Sequence, residues 1–237
     1  MALNQVLLHR AAKPVLFALA LLPFAWLFYA AAADQLGANP AEALIRSLGD
    51  WTLRFLCLAL AVTPLRVLTH TPALARFRRM VGLWVFFYAV LHLLAYAVFD
   101  MELDVTEMLL DVVKRPFILV GTLALVLLAL LAATSFNGAI GWLGAKRWRA
   151  LHRAVYAVAV LSVLHFFWMR AGKNDFAEVA LYAAVLALLL GWRVQQAWQA
   201  RQTRQKRQRV VHAWLVYTSD AADDMTYGDC GGSPSIK

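Results

Sequence analysis

The stretch MVGLWVFFYAVLHLLAYAVF, residues 80–99, decides the fold. It holds twenty residues without one Asp, Glu, Lys or Arg. At about 1.5 Å of rise per residue, such a helix crosses roughly 30 Å of hydrocarbon. Its one histidine, His92, therefore lies inside a membrane span, where an ionisable side chain is expensive and marks a functional position.

Five further runs repeat this pattern outward in both directions. Residues 14–33 and 116–135 are equally free of charge. Residues 51–69 carry Arg54 and Arg66, residues 150–169 carry Arg153 and residues 176–192 carry Glu178, all read as charges near span ends that snorkel to the interface. The composition agrees: 62% of residues are hydrophobic and 16% charged, with a mean hydropathy of +0.61. A soluble domain carries about 45–50% apolar and about 25% charged residues, and a disordered chain is more polar still. The net charge of +9 does not make a nucleic-acid binder, because the basic residues punctuate apolar runs. Two cysteines, Cys57 and Cys230, make no disulfide framework, and the C-x-x-C-H of covalently attached haem is missing.

The fold class is thus an all-α integral membrane protein, a bundle of six transmembrane helices. Fifteen Lys and Arg residues fall in the N-terminal, second-to-third, fourth-to-fifth and C-terminal segments, against five in the other three. By the positive-inside rule both termini are cytoplasmic. The acidic segment Asp100, Glu102, Asp104, Glu107 and Asp111 then faces outward, as a solvated loop or a docking surface for a partner. The organisation reads as a cytoplasmic N-terminus (1–13), the membrane domain (14–195), a basic cytoplasmic helix (196–215) lying against anionic lipid, and a disordered or foreign tail (216–237). Too little chain follows the sixth span for a nucleotide-binding domain. Tryptophans such as Trp26, Trp51, Trp84 and Trp142 read as an interfacial belt. Gly138, Gly141 and Gly144 form a spaced triplet with no strand before it, which reads as an interfacial loop.

His92 and His165 lie about 18 and 22 Å along outward-running helices from the cytoplasmic side, so they share a depth in the outer half of the bilayer. Two facing imidazoles suit the axial positions of a haem, whereas zinc or copper would want a third ligand. Tyr88 and Tyr96 flank His92 at i−4 and i+4 as neighbours or packing. His152, thirteen residues before His165, points to another face about 20 Å lower. A second haem, a flavin pocket and a quinone pocket are its alternatives. Arg78 and Arg79 suit haem propionates or a cofactor phosphate, or simply anchor the span. His70 is a weaker partner for His152, and His9 and His212 lie outside the spans. No nucleophile or carboxylate pair marks a catalytic residue.

The run Arg78-Arg79-Met80-Val81-Gly82-Leu83-Trp84, with Tyr88 and His92, resembles the third-span signature of the MsrQ family, formerly YedZ. Thr63-Pro64-Leu65, Arg115-Pro116-Phe117, and Leu143-Gly144 to Trp148 with Leu151-His152, Tyr156 and His165 extend the resemblance over about residues 5–210. The wider group is the ferric reductase-like transmembrane domain. The resemblance implies b-type haem, with His92, His152 and His165 as the family's three intramembrane histidines, and an association with FMN. It implies residence in the bacterial inner membrane. It implies electrons taken from the quinone pool or a cytosolic flavin reductase and passed to the periplasmic molybdenum subunit MsrP, which reduces methionine sulfoxide in proteins. The tail after Val210 departs from the family pattern. The competing readings are a stand-alone ferric-chelate or quinone-linked haem reductase of the same fold, and a transporter or structural protein without haem.

Overall fold

A computed structural model of the chain describes residues 2–171 and 176–226. Among them the chain is helical and forms no strand. The helices are α1 (Ala2–Leu8), α2 (Ala12–Ala32), α3 (Pro40–Leu68), α4 (Arg78–Phe99), α5 (Val105–Lys114), α6 (Pro116–Ala133), α7 (Asn137–Leu151), α8 (Val155–Ala171) and α9 (Ala177–Thr226). Six stretches are long and apolar enough to cross a membrane: α2, α3, Pro72–Phe99, α6, Asn137–Ala171 and the first part of α9.

Local chemistry explains where the helices start. Asn39 caps α3 by accepting from the Glu42 N–H at 3.2 Å, and Pro40 fills a first-turn position that has no N–H to satisfy. Asp104 caps α5 through the N–H groups of Thr106 and Glu107. Arg115 is held extended before Pro116, as a residue preceding proline should be, and α6 begins there. Gly144 breaks α7 with φ +74°, a left-handed conformation that a residue with a Cβ adopts only at a cost.

Residues 1–190 form one compact unit. Its most extensive helix contacts are α3 with α4 and α6 with α8, and α4 against α6 joins the two pairs. The core is aromatic near its centre. Tyr88 is fully buried and stacks on Phe55 at 5.0 Å, while Trp84 packs against both. The Tyr88 hydroxyl donates to the Ala20 carbonyl at 2.8 Å and accepts from the Phe24 N–H at 3.1 Å, so it sits beside Pro23 where α2 has lost a donor. At one end, α1 meets the 3-10 turn Pro72–Phe77. Arg76 donates to the Leu7 carbonyl, and Asn4 accepts from the Ala73 N–H. The N-terminus and the segment after α3 therefore lie at the same end. From residue 191 the chain forms a second unit, a polar helix rich in Gln and Arg.

Several expectations change. The second span begins at Pro40, not at residue 51, so Arg54 stands mid-helix. It is held there by a hydrogen bond from Nε to the Tyr182 hydroxyl at 3.1 Å and by the Trp51 ring at 4.7 Å. Trp84 is a core residue, 5% exposed, rather than part of an interfacial belt. The glycine-rich stretch is helix α7, broken only at Gly144, because one left-handed residue suffices to turn it. The acidic loop contains helix α5, whose Asp111 is buried. The helix runs past residue 215 to Thr226, since Ala221, Ala222 and Met225 are good helix formers despite the polar composition. Lys173, Asp175, Cys230 and residues 227–237 lie outside the described residues.

Candidate functional site

His92 on α4 and His165 on α8 meet inside the bundle. Their ring centres are 6.3 Å apart and their planes are nearly perpendicular, at 82°. Each ring is held by a carbonyl of the neighbouring helix. His92 Nδ1 lies 2.8 Å from the Ile45 carbonyl on α3, and His165 Nδ1 lies 2.7 Å from the Phe117 carbonyl on α6. A carbonyl can only accept, so each Nδ1 carries the proton and donates it. The Nε2 lone pair of each neutral ring is thereby left for a metal, the arrangement typical of metal-bound histidine.

The spacing fits an iron porphyrin held axially. Two metal–imidazole bonds of about 2 Å and two ring radii of about 1 Å place ring centres about 6 Å apart. Among the described residues, no group of three or more His, Cys, Asp or Glu side chains converges as a metal site would require. A two-ligand macrocycle therefore suits the pair better than a bare zinc or copper ion.

The approach of the rings depends on two glycines. A Cβ at position 49 would lie 3.2 Å from His92 Cε1, and one at position 121 would lie 2.9 Å from His165 Cε1 and Nδ1. Each glycine stands four residues after the carbonyl that its histidine uses, hence on the same face of the same helix.

One turn beyond His92, a second polar chain runs toward the protein surface. The Tyr96 hydroxyl donates to Asp111 Oδ2 at 2.6 Å, and Arg115 Nε donates to Asp111 Oδ1 at 2.8 Å. This ties α4 to α5 near the candidate ligand. The tyrosine at i−4, Tyr88, instead reaches α2 and serves packing.

His152 is built differently. It lies in the 3-10 turn His152–Ala154 between α7 and α8, stacked on Trp148 with ring centres 3.9 Å apart. Its Nδ1 lies 3.1 Å from the Trp148 carbonyl of the preceding turn, and Nε2 lies 3.4 Å from the Ser135 hydroxyl, which is too long to bind firmly. Arg78 and Arg79 at the start of α4 stand within electrostatic reach of this ring. Arg79 also donates to the Asn137 side chain at 2.7 Å. Arg78 and Arg79 thus lie on the His152 side of the bundle rather than with the His92–His165 pair, and the described contacts of Arg79 go to Asn137. His70 closes α3 in a left-handed turn, φ 52°, and is exposed, as are His9 and His212.

The sequence reading missed Ile45, Phe117, Gly49, Gly121 and the Tyr96–Asp111 bond. One signal was present: the residue supplying the carbonyl precedes its histidine by 47 positions in one case and 48 in the other.

Comparison with known proteins identifies the family. The ferric reductase like transmembrane component family matches residues 15–163. The chain is 67% identical to the "protein-methionine-sulfoxide reductase heme-binding subunit MsrQ" of Polaromonas naphthalenivorans, over 84% of this chain and 90% of that one. It is 57% identical to the same subunit of Bordetella pertussis over 80% and 91%, and 54% identical to that of Herminiimonas arsenicoxydans over 80% and 87%. No solved structure matches. Six apolar helices together with these relatives make it a multi-pass protein of the bacterial inner membrane. The chain belongs to the MsrQ family of methionine sulfoxide reductase subunits, within the ferric reductase-like transmembrane group.

Proposed function

We propose that the chain holds haem b between His92 and His165 and carries electrons outward to a periplasmic molybdenum methionine sulfoxide reductase, MsrP. The single observation that carries this reading is the close pair of imidazoles, 6.3 Å between ring centres, each with Nδ1 on a carbonyl so that Nε2 is the nitrogen left with a lone pair. Haem so bound supplies a one-electron centre that asks no more of the protein than two axial ligands. The relatives named as haem-binding subunits support the same group.

The charge pattern supports the direction. With fifteen basic residues against five, both termini are cytosolic, and α4 and α8 run outward. His92 stands seven residues from the end of α4, about 10 Å below the outer surface. A protein docked there would lie near the two histidines that would hold the haem. The segment between α4 and α6, with Glu102, Asp104 and Glu107 outside and Asp111 tied to Tyr96, faces that partner.

On the cytosolic side, His152, Arg78 and Arg79 are the residues for electron entry. Two guanidinium groups at the start of α4, within electrostatic reach of that imidazole, suit haem propionates or the phosphate of FMN, and the donor is the quinone pool or a cytosolic flavin reductase. In this reading the substrate chemistry belongs to MsrP, and among the described residues the contacts of the pair are backbone carbonyls and glycines rather than a nucleophile or a carboxylate pair.

The test is optical. The purified, reduced protein should show a low-spin b-type spectrum and remain reduced with methionine sulfoxide alone. It should be reoxidised when oxidised MsrP is added. Reduction of methionine sulfoxide by the subunit unaided, or a haem that stays reduced beside oxidised MsrP, overturns the reading.

A further inference from the structure

The two candidate ligands share one device, built twice from different helices. On α3, the Ile45 carbonyl receives His92 Nδ1 and Gly49, one turn later, leaves room for the ring. On α6, the Phe117 carbonyl receives His165 Nδ1 and Gly121, one turn later, does the same. The sequence separations, 47 and 48, are nearly equal, and the helix pairs involved are the two most extensive in the bundle. We propose that Gly49 and Gly121 are positioning residues that seat the two axial histidines on those carbonyls and thereby set the potential of the haem between them. The inference rests on the ligand assignment made above.

The physical argument is steric and then electronic. Real Cβ atoms do not approach ring atoms to 2.9 Å, so a methyl group at position 121 forces the His165 ring away. The ring cannot yield freely, because Nδ1 is bound to a carbonyl at 2.7 Å. That bond lengthens or bends. A hydrogen bond from Nδ1 to an acceptor makes the other nitrogen a stronger donor to iron and favours the ferric state. Weakening it raises the midpoint potential. At position 49 the added methyl meets His92 at 3.2 Å, a contact that small shifts relieve, so the effect there is smaller. Gly82 on α4 has nothing within 4 Å of the same position and serves as a control.

The experiment uses the full-length protein in detergent with haem bound. Gly121→Ala, Gly49→Ala and Gly82→Ala are compared by low-temperature electron paramagnetic resonance of the ferric haem and by redox titration. Gly121→Ala is expected to keep haem, change its low-spin signal and raise its midpoint potential. Gly49→Ala shifts both in the same direction by less, and Gly82→Ala matches the wild type. Loss of haem from Gly121→Ala, with the protein still monodisperse, supports the seat equally, and Gly49→Ala then reads the shift. Wild-type signals and potentials in both Gly121→Ala and Gly49→Ala overturn it. The ligand assignment fails separately, if His92→Ala retains the wild-type spectrum.

Discussion

The His92–His165 pair and the His152 region are both histidine sites on the same bundle, and they are built on different plans. In the pair, each ring is anchored to a helix other than its own, through a carbonyl and a glycine. Each ring is thus fixed by tertiary packing and faces a second imidazole. His152 leans first on its own segment, stacked on Trp148 four residues earlier and bonded to that residue's carbonyl, and meets the end of α6 only through the Leu131 carbonyl and the long contact to Ser135. Its surroundings are arginines rather than a second histidine. Rings held by two different helices are preorganised for a rigid axial site. A ring stacked on its own segment, with two guanidinium groups in electrostatic reach, is a polar setting of a different kind.

The largest expected effect breaks the pair. His92→Ala or His165→Ala removes one of two strong-field ligands, so the low-spin spectrum of that haem disappears, as absorbance and bound-haem assays will read. A spectrum unchanged in either variant sinks the contrast between the two sites. His152→Ala should leave that spectrum intact and slow reduction by the cytosolic or quinone donor on the order of tenfold, measured by stopped-flow. Loss of the outer haem in this variant would mean that the two regions are not separate.

A smaller effect tests the tie beyond His92. Tyr96→Phe removes the donor to the buried Asp111 carboxylate, which costs about 1–3 kcal/mol. Thermal unfolding in detergent should show the loss while the haem spectrum stays unchanged. The smallest effect belongs to Ser135→Ala. Its hydroxyl donates to the Leu131 carbonyl one turn earlier at 2.6 Å and reaches His152 only at 3.4 Å, so stability should fall by about 0.5–1 kcal/mol for the lost helix-end bond while donor kinetics stay as in the wild type. A large kinetic effect would make Ser135 part of the entry site.

Some of this molecule was legible from residue types alone. Apolar runs of membrane length gave six spans, because hydrocarbon tolerates few charges and the count of residues sets the crossing. His92 and His165 stood out because an ionisable group in such a run is costly, and helical rise alone put them at one depth. Helix starts hidden in mixed sequence were harder. Pro40 begins α3 through the Asn39 cap, eleven residues before the apolar run, and this moved Arg54 from a span end to mid-helix. The acidic stretch looked solvated because composition does not say which carboxylate turns inward, and Asp111 does so where Tyr96, one turn beyond His92, and Arg115 both donate to it.

The sequence by itself determined the class of the protein, the number of its spans and the pair of histidines, since hydropathy, charge and helical rise are local properties of the chain. Tertiary structure alone decided how those histidines are presented. A backbone carbonyl is the same group at every residue, and a glycine shows its use only when a ring from another helix comes to within 3.2 Å of where a Cβ would stand. Which nitrogen of each imidazole carries the proton, and so which is left to bind a metal, follows from helices α3 and α6 meeting α4 and α8 at that register.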